Sequence, residues 1–72
     1  MIYPEGYTVG YQSSEDFTLI KIVRRVEEPF RGYYVIWEDD DKESCLSEEF
    51  VVNCDKIYSD KVRQVKLERI LQ

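Results

Sequence analysis

The chain has 72 residues and a net charge of −5, with no histidine, two cysteines and three glycines. At this length a single domain over residues 1–72 is expected, burying only about 60% of its unfolded surface, which leaves little volume for a deep catalytic cleft. The missing histidine removes the commonest general acid–base group, and two cysteines fall short of a four-ligand zinc site. The acidic balance disfavours direct binding to a nucleic-acid backbone.

In chain order, Met1 to Tyr11 is rich in tyrosine and punctuated by Pro4 and Gly6. Tyr7, Val9 and Tyr11 alternate with Thr8 and Gly10, the period of a short strand. Gln12 to Asp16 reads as a turn. Phe17 to Val26 is read as a strand because Thr18, Ile20, Ile22, Val23 and Val26 are β-branched. A helix is its alternative, since Leu19, Ile22, Val23 and Val26 fall at i, i+3, i+4 and i+7. The run contains Lys21, Arg24 and Arg25, and no stretch of the chain approaches the roughly 18 apolar residues of a membrane span. Pro29 and Gly32 mark a connection, and Tyr33 to Trp37 is the clearest strand. Asp39 to Glu43 then reads as a charged turn, because aspartate tolerates left-handed backbone angles.

The second half is less decided. Ser47 before Glu48 and Glu49 has the form of a helix start, a capping hydroxyl followed by acids in the first turn. That helix would turn Phe50, Val51 and Cys54 inward, with Ile57 near the edge. An edge strand over Phe50 to Cys54 competes with it. Over Ser59 to Leu71, Val65, Leu67 and Ile70 suggest a strand. A helix capped by Ser59 competes, but its apolar residues spread around the wheel. The fold expected is α+β: a small antiparallel sheet with one short helix, the alternative being an SH3-like five-stranded barrel.

Recognisable chemistry is sparse. No glycine-rich phosphate loop or nucleophile elbow is present. Asp39, Asp41 and Glu43 could begin a calcium loop, but Ser44 stands where glycine is needed and Phe50 where the closing glutamate belongs. No metal or other cofactor is expected, and no enzyme activity. Cys45 and Cys54 could close a short disulfide, but no basic region followed by an apolar run opens the chain. A cytoplasmic protein with reduced thiols is therefore expected. Small folds without disulfide or metal often gain stability by pairing, so a homodimer is expected.

The acids from Glu38 to Glu49 surround several aromatic residues. The candidate partner-binding face is Tyr34, Trp37, Glu38, Asp40, Glu48, Glu49 and Phe50, with Phe50 as an anchor ringed by acids. Such a face suits a basic protein partner, including a nucleic-acid-binding enzyme, rather than nucleic acid itself. Arg24, Arg25 and Arg31 form the alternative candidate, a basic patch for an anionic small molecule such as a signalling nucleotide.

Tyr33-Tyr34, the acidic turn, Leu46-Ser47-Glu48-Glu49-Phe50 and Val65-Lys66-Leu67-Glu68-Arg69-Ile70-Leu71 together resemble the small phage inhibitors of uracil-DNA glycosylase, over residues 17–71. The resemblance implies a three-stranded antiparallel sheet with one helix and a final strand ending in leucine. It further implies a homodimer, DNA mimicry by acidic and aromatic side chains, and insertion of an aromatic at Phe50 into a pocket of the enzyme. The chain departs from that pattern in two ways: its acidic run follows the tyrosine strand, and an extra N-terminal segment is present. Val35-Ile36-Trp37-Glu38-Asp39 followed by Leu46-Ser47-Glu48-Glu49-Phe50-Val51 is similar to the strand–turn–strand of SH3-like barrels, which implies an adaptor surface flanked by acids. The function expected is thus inhibition or modulation of another protein through an acidic, aromatic face.

Overall fold

Alternating strand-forming runs separated by short polar turns build an up-and-down meander. In the computed structural model, which describes residues 3–71, the elements are β1 (Thr8–Gln12), β2 (Phe17–Val26), β3 (Gly32–Trp37), β4 (Lys42–Ser47) and α1 (Glu48–Leu71). The four strands form one antiparallel sheet in the order β1-β2-β3-β4. The fold is α+β. The sheet is open, with β1 and β4 at opposite edges, so the five-stranded barrel is not formed.

The 17–26 run is the strand, and a β-bulge explains its helix-like spacing. Ile20 and Ile22 stand opposite Trp37 and Val35, but the register then shifts, so that Arg24 and Arg25 oppose Tyr34 and Tyr33. The extra residue, Val23, moves the inward positions from even to odd numbers. Arg25 thereby shares a face with the fully buried Tyr33.

The core is Tyr3, Val9, Ile20, Ile22, Tyr33, Val35, Val51 and Cys54. Gly10 lets the helix approach β1: a Cβ there would meet the Phe17 ring and lie 2.7 Å from Val62 Cγ2. The segment before β1 continues alongside β2, with the Gly6 N–H donating to the Ile22 carbonyl (2.7 Å) and the Ile22 N–H to the Tyr7 carbonyl (2.8 Å).

Two expectations for the second half are corrected. The helix is not short: it runs 24 residues, about 36 Å at 1.5 Å per residue, and sets the 40 Å long dimension of the molecule. Ser59 to Leu71 belongs to it and is not a strand, so the final strand implied over Val65–Leu71 is helical as well. No glycine or proline interrupts residues 48–71, and α1 continues through Ser59 without a new cap. The charged turn is also shorter than expected, because Lys42 and Glu43 open β4. Asp41 takes the left-handed conformation that reverses the chain, at φ 56°. No helix among the described residues is long and apolar enough to cross a membrane.

Candidate functional site: an acidic turn beside an aromatic row

Ser47 caps the helix: its Oγ accepts from the Phe50 N–H at 3.2 Å. This satisfies one of the four free N–H groups at the helix start, and Glu48 and Glu49 complement the positive end of the helix dipole. Glu48 is also engaged by Arg25, whose Nη1 lies 3.3 Å from Glu48 Oε1 and 3.2 Å from the Tyr33 hydroxyl. Glu27 lies 3.6 Å from the same guanidinium. One of the anticipated interface acids is therefore held within the fold.

The candidate face divides into separate places. Trp37 stands opposite Lys42 at the turn end of the β3–β4 hairpin, whereas Gly32 stands opposite Ser47 at its helix end. Six strand residues separate these ends by about 17 Å. Glu38 and Asp40 thus lie at one end, and Glu48 and Glu49 at the other. Tyr34 leaves the group, since adjacent strand residues point to opposite faces. Its ring lies beneath the Arg24 guanidinium at 5.3 Å, and a hydrogen bond with Glu43 pushes its hydroxyl pKa up. Glu38 is engaged by Arg69 at 3.4 Å.

Phe50 is half-buried and is not a protruding anchor. Its ring lies 5.5 Å from Tyr11, which meets Trp37 edge-on at 5.9 Å and 89°. Phe50, Tyr11 and Trp37 thus form one row of half-buried rings on the helix-bearing face. At its far end Trp37 lines an open depression of about 220 Å³ with Asp39, Asp40, Lys42 and Ser44. The Lys42 N–H donates to Asp40 Oδ1 at 3.0 Å and orients that carboxylate. Of the residues first singled out, Trp37 and Asp40 are brought together here. Tyr11, Asp39, Lys42 and Ser44 were missed. The alternation of Tyr7, Val9 and Tyr11 was the available signal for Tyr11, but its neighbour across the sheet depends on register.

Arg24, Arg25 and Arg31 do not converge. Arg24 stacks on Tyr34, while Arg25 lies over Tyr33 on the opposite face; Arg31 is exposed and its carbonyl accepts from the Glu48 N–H. A different basic site, also missed, lies beside β1. An open cavity of about 180 Å³ is lined by Tyr7, Thr8, Asp55, Ser59, Val62, Arg63 and Lys66. Asp55 anchors it by accepting from the hydroxyls of Tyr3 (3.1 Å) and Tyr7 (2.7 Å). Burial, reinforced by the hydrogen bond to Asp55, pushes the Tyr3 hydroxyl up to about 12. That of Tyr7 is raised chiefly by the same carboxylate.

The cysteines are free; Cys45 is exposed and Cys54 buried. Burial raises the Cys54 thiol pKa, which makes it a poor nucleophile. Among the described residues, no three acidic or cysteine side chains gather closely enough to hold a metal ion. Comparison of the chain with protein-family models, with curated proteins and with solved structures gives no match.

Proposed function

We propose that this is a non-catalytic binding protein that modulates a basic protein partner by occupying its surface. The observation that carries this reading is the depression in which the Trp37 indole lies beside Asp39 and Asp40. An aromatic face attracts a cation through its quadrupole, and adjacent carboxylates add charge-assisted hydrogen bonds. An arginine or lysine side chain is the group that fits this combination. The Tyr11–Phe50 end of the row offers apolar area to the residues beside that cation. Charge at the rim speeds encounter more than it deepens affinity, so binding should weaken as salt rises. Inhibition by occlusion is the corresponding mechanism, in keeping with the inhibitor-like sequence resemblance.

Trp37 is the sole tryptophan, so its fluorescence reports on this place alone. Titration with an arginine-rich peptide should change that fluorescence saturably, and Asp39→Asn with Asp40→Asn should weaken binding about tenfold, about 1.4 kcal/mol. A peptide that leaves Trp37 unaffected, or binds the double variant equally well, would reject the site.

A second reading, capture of a small anion, is favoured by the cavity with Arg63, Lys66 and the hydroxyls of Thr8 and Ser59, where the Asp55 carboxylate is occupied by the Tyr3 and Tyr7 hydroxyls. Titration with inorganic phosphate, followed by amide chemical shifts, tests it. Shifts confined to residues 7–8 and 59–66 support this reading, and their absence removes it.

A further inference from the structure

The sheet ends on one side at β4, and the register fixes which way the backbone of that strand points. Just past the Ile20–Trp37 pair, the Glu38 N–H donates to the Leu19 carbonyl (3.0 Å), so the even-numbered residues at this end of β3 turn to β2. The odd-numbered ones turn to β4, and the bond from the Glu48 N–H to the Arg31 carbonyl (3.0 Å) continues that ladder beyond the Gly32–Ser47 pair. Hydrogen-bonded and non-hydrogen-bonded pairs alternate along two antiparallel strands. Lys42, Ser44 and Leu46 therefore bond to β3, whereas Glu43, Cys45 and Ser47 direct their N–H groups away from the sheet. The Glu43 and Cys45 carbonyls point the same way, while that of Ser47 turns into the helix it caps. No backbone hydrogen bond among the described residues reaches this outer side, and Glu43, Cys45 and Ser47 are all exposed. Sheets commonly shield such an edge with a proline, a bulge or a covering segment. β4 contains no proline, and its register with β3 is unbroken.

We propose that β4 receives an extended, basic segment of another protein as an added strand. Alternating N–H and C=O groups along an open edge are matched by extended backbone, which pairs with them as a further strand of the sheet. Charge selects the segment. Asp39, Asp40, Asp41 and Glu43 stand at one end of β4 and Glu49 at the other, and within residues 39–49 Lys42 is the only base. Asp39, Asp41 and Glu49 form no ion pair among the described residues. A second copy of this chain fits less well, because antiparallel pairing across Cys45 would bring the acidic turn of each chain beside the acidic helix start of the other. The added strand is the backbone form of the partner proposed above, and its basic side chain rests on the same reading of the Trp37 depression. Lys42 and Ser44 stand opposite Trp37 and Val35, so a residue facing Ser44 on the added strand shares their side of the sheet. It lies two strand spacings from β3, about 10 Å, and an arginine or lysine there reaches across β4 towards Trp37, Asp39 and Asp40.

The probe is an end-blocked peptide of alternating arginine and threonine, added to the isotope-labelled full chain, with amide hydrogen exchange read residue by residue. In the free protein the Glu43, Cys45 and Ser47 amides should exchange fast and those of Ser44 and Leu46 slowly. Saturating peptide should slow the first three at least tenfold and change Trp37 fluorescence. Cys45→Pro, which removes one outward N–H, should weaken peptide binding at least tenfold, with far-UV circular dichroism showing that helix content is kept. Binding that changes Trp37 fluorescence but leaves the three amides unprotected overturns the added strand and keeps the depression. Protection that persists at unchanged affinity in Asp39→Asn with Asp40→Asn keeps the added strand and rejects the depression as its side-chain site. Slow exchange of the three amides without peptide, increasing with protein concentration, assigns the edge to a second copy and overturns the proposal, as does a peptide that does not bind.

Discussion

The two halves of α1 belong to one unbroken helix and meet opposite circumstances. From Glu48 to Val62 the helix is tied to the sheet: Val51 is fully buried, Cys54 and Val62 nearly so, and Asp55 holds two tyrosines. Beyond Val62 only Val65 is half-buried, and the tip is held at its side by Arg69 reaching Glu38. The difference lies in what each half meets. The first half faces the inward side chains of β1, β3 and β4, whereas the second passes the five-residue β1 and outruns it. Helix length here follows from unbroken propensity, while helix stability is local and depends on burial.

The sharpest way to break this contrast is Asp55→Ala. It removes the shared acceptor of the Tyr3 and Tyr7 hydroxyls, and hydrogen bonds to a charged group each contribute about 1.5–3 kcal/mol. Denaturant unfolding should show a loss of about 3 kcal/mol, a large share of the stability of so small a domain. A loss below about 1 kcal/mol would mean that the N-terminal segment is not clipped to the helix.

Alkaline titration sharpens the same contrast. The raised Tyr3 and Tyr7 pKa values mean that the folded state binds these protons more tightly than the unfolded state, whose tyrosines titrate near 10. Their contribution is therefore fully present below about pH 10 and is lost as pH rises towards about 12. Phenolate absorbance should show at least one tyrosine ionising near pH 12. In Asp55→Asn the Tyr7 hydroxyl should ionise at lower pH than in the wild type.

The smallest effect belongs to the far half. Ile70→Ala removes a side chain that is 76% exposed, so it should change stability by less than about 0.5 kcal/mol. A larger loss on denaturant unfolding would show that the helix tip packs against other residues.

The strands were legible where residue type and turn punctuation agreed. Tyr33 to Trp37 is a β-branched and aromatic run after Gly32, and Phe17 to Val26 carries enough β-branched residues to outweigh its helical spacing. The cap was legible too, because Ser47 before two glutamates states its chemistry locally. The end of α1 was misread because Val65, Leu67 and Ile70 do not lie on one helical face, and a helix with two apolar surfaces looks like no helix at all. The candidate site was legible only in part. Trp37 and Asp40 are near in sequence and remain near in space, but Glu48 and Glu49 are carried away along β4, and Glu48 is taken up by Arg25.

By itself the sequence determined that the chain holds an acidic turn, three strand-forming runs, a capped helix start and no histidine-based chemistry, since these depend on neighbouring residues and side-chain type. Only the tertiary structure decided the rest. The Val23 bulge chose which arginine enters the inner face, the meander order chose Tyr11 as the ring beside Trp37, and the short β1 left the tip of α1 bare. Each is a question of register or reach between residues far apart in the chain, settled by packing and hydrogen bonding across the sheet.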